Sequence, residues 1–65
     1  MTETWKLDNE HYVLYTDSKD IINRIKRYYV DFHLMATYEK DEKVFALQYR
    51  LPIKRKRVAQ RLARI

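Results

Sequence analysis

The chain has no cysteine, no glycine and a single proline among its 65 residues. Without cysteine there is neither a disulfide nor a thiolate metal site. Without glycine there is no phosphate-cradling loop of the P-loop or dinucleotide type, since both need backbone positions that only glycine fills. Tight turns therefore fall to Asp, Asn, Glu and Lys. No apolar run approaches the ~18 residues of a membrane-crossing helix. The start, Met1-Thr2-Glu3-Thr4-Trp5-Lys6, lacks the apolar stretch of a signal peptide. The expectation is a cytoplasmic protein that does not enter a membrane.

Catalytic side chains are equally scarce. Ser18 is the only serine and stands where a helix cap is needed. His11 and His33 are the only histidines. Asp31 and His33 are two apart, and His11 falls on a neighbouring strand, but the spacing matches no zinc-ligand set. On the outward face His33 is expected beside Arg50. The acids Asp8, Glu10, Asp17, Asp20, Glu39, Asp41 and Glu42 stand at turns and helix starts, where acids are ordinary. No nucleophile, base and orienting group assemble. The reading is a non-enzymatic protein without metal or cofactor.

Large aromatic side chains are plentiful. Nine of them, six being tyrosine, offer about 150–250 Å² of buriable surface each. A chain this short needs them, because it buries only about 60% of its unfolded surface and its core is marginal. A second subunit is the other way to supply buried surface, so a homodimer is a natural expectation. Trp5 is assigned to cover the open edge of the core, with an interface anchor as the alternative.

Residues 3–7 and 10–16 read as extended, with Asp8-Asn9 as a turn between them, forming either a hairpin or one bent strand. Thr16-Asp17-Ser18 opens a helix, with Asp17 or Ser18 as cap. From Ser18 to Val30 the apolar residues 21, 22, 25, 28 and 29 share one face, with Arg24, Lys26 and Arg27 opposite. Residues 32–51 alternate with period two on both sides of Asp41-Glu42. With those two as the loop, Tyr38 faces Phe45, Ala36 faces Leu47, Leu34 faces Tyr49 and Phe32 faces Leu51. This row is expected to meet Ile21, Ile22, Ile25 and Tyr29, leaving Met35, Thr37, Val44, Ala46 and Gln48 on an exposed neutral face. Pro52 ends the second strand. The order is β(β)-α-β-β-α over one domain, residues 1–65. This is an α+β fold with a small antiparallel sheet of three to four strands and two helices.

The charge is lopsided. Residues 50–65 hold seven basic residues and no acidic one, whereas residues 1–49 hold seven basic and nine acidic. The basic tail, residues 53–65, reads as an amphipathic helix, with Val58, Leu62 and Ile65 on one stripe and Lys54, Arg57, Arg61 and Arg64 on another. Cations at the start of a helix oppose its dipole, at roughly 0.3–1 kcal/mol each. A bound anion reverses that penalty, unless the helix begins only at Arg57. Charge asymmetry of this kind concerns a partner. The reading is nucleic-acid binding, DNA or RNA, by Lys54, Arg55, Lys56, Arg57, Arg61 and Arg64, with Arg24 and Arg27 auxiliary. Tyr28 and Tyr29, at core-facing spacing, are secondary candidates for base stacking. The alternative is an interaction module or inhibitor that docks on an acidic protein surface.

Overall fold

The computed structural model describes residues 1–65. Its elements are β1 (Thr2–Lys6), β2 (His11–Thr16), α1 (Lys19–Tyr28), β3 (His33–Lys40), β4 (Lys43–Pro52), a 3-10 turn (Ile53–Arg55) and α2 (Lys56–Leu62). The four strands form one antiparallel sheet in the order β1-β2-β4-β3. Residues 2–16 are thus a hairpin. Its loop is closed by Asp8, whose Oδ1 accepts the Glu10 N–H at 2.8 Å, an Asx turn that stands in for glycine. This contact, and His11 Nδ1 at 3.0 Å, hold the Asp8 carboxyl below its ordinary range.

The core lies between one face of the sheet and both helices. Tyr12 and Leu14 of β2, Leu47, Tyr49 and Leu51 of β4, and Phe32 just before β3 meet Ile21 and Ile25 of α1 and Ala59 and Leu62 of α2. Full burial of each such Leu, Ile or Phe is worth about 1.5–3 kcal/mol. Ser18 caps α1 by accepting the Ile21 N–H at 3.4 Å. The helix ends sooner than its apolar period suggests. Tyr29 is the C-cap and packs on Phe32 with ring centroids 5.2 Å apart, whereas Tyr28 is 66% exposed rather than in the core.

The β3–β4 hairpin turns on Asp41 and Glu42, both left-handed at φ 53° and 66°. Two positive φ angles in a two-residue loop match the right-handed twist of the flanking strands. The expected pairing holds at both ends, with Lys40 opposite Lys43 and Leu34 opposite Tyr49, but not between them. Tyr38 meets Ala46, Thr37 meets Leu47 and Ala36 meets Gln48. The register shifts between Tyr38 and Glu39, where Phe45 is the extra residue, and shifts back between Leu34 and Ala36, where Met35 is extra. A bulge moves every following side chain to the other face. The Met35 bulge thus inverts the faces of residues 36–40 on β3 and the Phe45 bulge those of residues 43–44 on β4, so the pairing is restored at the tip while the faces stay exchanged. Tyr38 leaves the helix side, contrary to the simple alternation, and Thr37 replaces it. Tyr38 stacks edge-to-face on Tyr15, with centroids 5.4 Å apart, and lies 6.4 Å from Phe45.

On the helix side the sheet edge stays partly uncovered. Leu34 and Val44 line an apolar notch of about 490 Å³ with Tyr29, Val30 and Phe32. Val44 and Thr37 are therefore not on the exposed sheet face assigned to them from period two.

Candidate nucleic-acid interface

The basic tail is built in two steps. Pro52 closes β4 and opens the 3-10 turn, whose C-terminal residues Lys54 and Arg55 lead into α2. The turn is held to the β1–β2 loop by the Ile53 N–H, which donates to Glu10 O at 2.9 Å. Helix α2 then runs for only seven residues, without a side-chain cap and without an acid in its first turn. The expected helix over 53–65 is therefore shorter, because Ala63 is already the C-cap. Ile65 is 64% exposed and adds nothing to the apolar stripe. Ala59 and Leu62 anchor α2 to the core, with Val58 packed beside them.

The predicted cations divide into two groups. Arg55, which is half-buried, and Lys56, which is exposed, each have a partner within the fold. The Arg55 Nε–H donates to Asp31 Oδ2 at 2.7 Å, which bridges the turn before α2 to the loop after α1. That bond, with the Arg55 charge behind it, holds the Asp31 carboxyl below its ordinary range. Lys56 Nζ stands 5.9 Å from the centre of the Tyr12 ring, a cation–π contact. The Gln60 amide donates to the hydroxyl of Tyr12 at 3.4 Å, and the Thr4 hydroxyl lies 3.5 Å from it. These partners, Thr4 foremost, lower the pKa of the Tyr12 phenol.

Lys54, Arg57, Arg61 and Arg64 form the other group. All four are exposed, and none has a carboxylate within 4.0 Å. Arg57, Gln60, Arg61 and Arg64 line one continuous outer surface. Of the fourteen lysines and arginines, Arg55 alone is ion-paired. On α1, Arg24, Arg27 and the exposed Tyr28 share a second surface with Asn23 and Asp20. The Arg27 guanidinium carbon is 6.0 Å from the Tyr28 ring centre. Both helices pack on the same face of the sheet.

The histidines stay apart. His11 contacts Asp8, His33 pairs across the ladder with Arg50, and Asp31 is engaged by Arg55. No three His, Cys, Asp or Glu side chains converge as metal ligands.

The opposite face of the sheet carries no helix. Along its rows, Trp5, Val13, Arg50 and His33 lie side by side, followed by Glu3, Tyr15, Gln48 and Ala36, then Ala46 and Tyr38. The Tyr38 hydroxyl donates to Gln48 Oε1 at 2.6 Å, and the Gln48 amide reaches the Met35 sulfur at 3.2 Å. Trp5, assigned from the sequence to the open edge of the core, stands on this helix-free face beside Val13 and is 39% exposed. Tyr38 joins Trp5 and Tyr15 through the Met35 bulge of its own strand, which no composition or turn signal announces.

Fold and charge together define a small α+β protein with a four-stranded antiparallel sheet, two helices on one face and a basic C-terminal segment. No protein-family model, no curated protein and no solved structure matches the chain. No helix is long and apolar enough to cross a membrane.

Proposed function

We propose that this protein is a small non-enzymatic accessory or regulatory protein that binds nucleic acid through its basic C-terminal segment. The observation that carries the reading is the row Arg57, Arg61 and Arg64, with Lys54 before it, all exposed and none with a carboxylate within 4.0 Å. These side chains contact phosphates, and binding is driven by release of condensed counterions. Such contacts set position without reading sequence. Arg24 and Arg27 extend the footprint from α1. Arg55 and Lys56 shape the segment through Asp31 and Tyr12 and contribute less to the ligand.

Anisotropy with labelled single- and double-stranded DNA and RNA at about 50 and 200 mM salt tests this, since phosphate contacts weaken steeply over that range. The Arg57→Ala/Arg61→Ala double variant is expected to bind more weakly to all sequences and to flatten the duplex salt slope by roughly two. Unchanged affinity in that variant would remove the claim for the helix. A second reading, docking of the basic segment on an acidic protein partner, draws on the same carboxylate-free cations. It predicts a stoichiometric complex that survives nuclease treatment.

A further inference from the structure

The open face of the sheet has a pattern of its own. Trp5 on β1, Tyr15 on β2 and Tyr38 on β3 step diagonally across it, one row further with each residue. With strands about 4.8 Å apart and alternate residues about 6.8 Å apart, the diagonal spans roughly 20 Å. Tyr15 and Tyr38 touch edge-to-face, and Phe45 continues the line at the bulge. Trp5 is 39% exposed, Tyr38 37% and Phe45 49%. Beneath them Val13 and Ala46 are fully buried although no helix covers this face, so the aromatic layer rests on a closed floor.

Cations flank the diagonal on both sides. Arg50 lies beside it in the row of Trp5, and Lys40, two residues beyond Tyr38, lies on the other side with Lys43 opposite it. All three are exposed, and Glu3 is the one acid on these rows. We propose that this face is a second nucleic-acid surface, specific for single strands, on which unpaired bases stack against Trp5, Tyr15 and Tyr38 while Arg50, Lys40 and Lys43 hold the phosphates. Exposed Trp5 and Tyr38, with half-buried Tyr15 between them and cations on both sides, suit that ligand, because every unpaired base offers a flat face and every linkage a negative charge. A duplex keeps its bases stacked inside and cannot use the rings. Charge also argues against the other occupants of an aromatic face. A second copy laid face to face would set three cations against three more, and an apolar partner would leave them desolvated. The inference rests on the nucleic-acid reading for the class of ligand, but it uses the side of the sheet away from α2 and is tested separately.

Trp5 is the only tryptophan and therefore reports on this face alone. The test follows its emission, and its shielding from acrylamide, as the full chain is titrated with a 15-nucleotide single strand and with the duplex of the same sequence. The expected result is quenching and shielding by the single strand only. The Tyr38→Leu variant, which keeps apolar bulk but loses the ring, should bind the single strand at least tenfold more weakly and the duplex unchanged. In the Arg57→Ala/Arg61→Ala variant the quenching amplitude at saturation should persist, even where affinity falls. Anisotropy showing single-strand binding with Trp5 unaffected would overturn this inference and leave the helix reading standing. Quenching retained at full affinity in the double arginine variant would instead remove the helix and keep this face. A mass in sedimentation twice that of the chain, lost in Tyr38→Leu, would assign the face to a second copy and overturn the inference.

Discussion

The Arg55 guanidinium donates its Nε–H to Asp31 at 2.7 Å, and this bond joins the two halves of the helical layer. Asp31 follows α1 and Arg55 precedes α2, so neither helix is positioned by its own apolar stripe alone. The other carboxylate oxygen, Oδ1, is shielded from solvent without a hydrogen-bond partner, although the side chain as a whole is partly exposed. Removing the guanidinium would take away that carboxylate's one side-chain hydrogen bond. Arg55→Ala is expected to cost about 1 kcal/mol in urea unfolding, since the pair is only partly shielded. Its effect on nucleic-acid affinity should be smaller than that of Arg61→Ala. An affinity loss equal to that of Arg61→Ala would make Arg55 a phosphate contact after all.

The same pair predicts a pH dependence. The folded Asp31 carboxyl is held below the ordinary value of 3.8, chiefly by the Arg55 hydrogen bond. A depressed carboxylate contributes stability that is present above the unfolded pKa and disappears as pH falls through the folded one. The stability gap between the native chain and Asp31→Asn should therefore be constant near neutrality and close below about pH 4. Urea midpoints across that range measure it. A gap that stays open at low pH would mean that the asparagine fails for a packing reason rather than for lack of charge.

Thr16 is fully buried where β2 gives way to α1. Its Oγ1 accepts the Ser18 N–H at 3.0 Å and lies 2.9 Å from the Thr2 hydroxyl. One hydroxyl thus sets the chain direction into the helix cap and ties in the edge strand β1. Thr16→Val keeps the shape and strands both partners, a loss of about 1–3 kcal/mol. Thr16→Ser keeps the hydroxyl and should recover most of it. If the two variants were equally destabilised, the methyl packing and not the hydrogen bonds would carry the site.

Much of this fold is legible in the residues. The cap at Ser18, the breaks at Asp8-Asn9 and Pro52, and the parity of the β3–β4 ends follow from local rules, because each depends on a few neighbouring side chains. The Phe45 and Met35 bulges do not. They leave the period-two pattern looking intact, since an apolar residue stands at every position from Val44 to Leu47 and the sequence cannot say which one is extra. Tyr28 is misleading for another reason. At helical spacing it belongs to the apolar face, but α1 reaches its cap at Tyr29, and the last ring swings out toward Arg27.

For the candidate site, charge count revealed the segment but not the division of labour within it. Arg55 and Arg57 are indistinguishable as letters. They differ because Arg55 meets an acid twenty-four residues earlier in the chain, a contact fixed only by tertiary packing. The aromatic diagonal was hidden in the same way, since one of its three rings reaches that face through a bulge.

The hairpin tip offers the last test. Asp41 and Glu42 both sit at positive φ, 53° and 66°. In that region the Cβ of an L-residue crowds the following carbonyl, at roughly 1–2 kcal/mol per residue. Aspartate offsets part of this through its side chain, whereas glutamate is too long to do so. Glu42→Gly removes the crowding and converts the loop to Asp-Gly, the preferred pair for this turn. Glycine's greater freedom in the unfolded chain offsets some of the gain. The expected balance is a stabilisation of about 0.5–1 kcal/mol, seen as a rise in Tm of roughly 2–8 °C for a domain of this size. Glu42→Ala keeps the Cβ and should give no such rise. If alanine stabilised as much as glycine, the gain would come from removing charge beside Asp41 rather than from relieving the backbone.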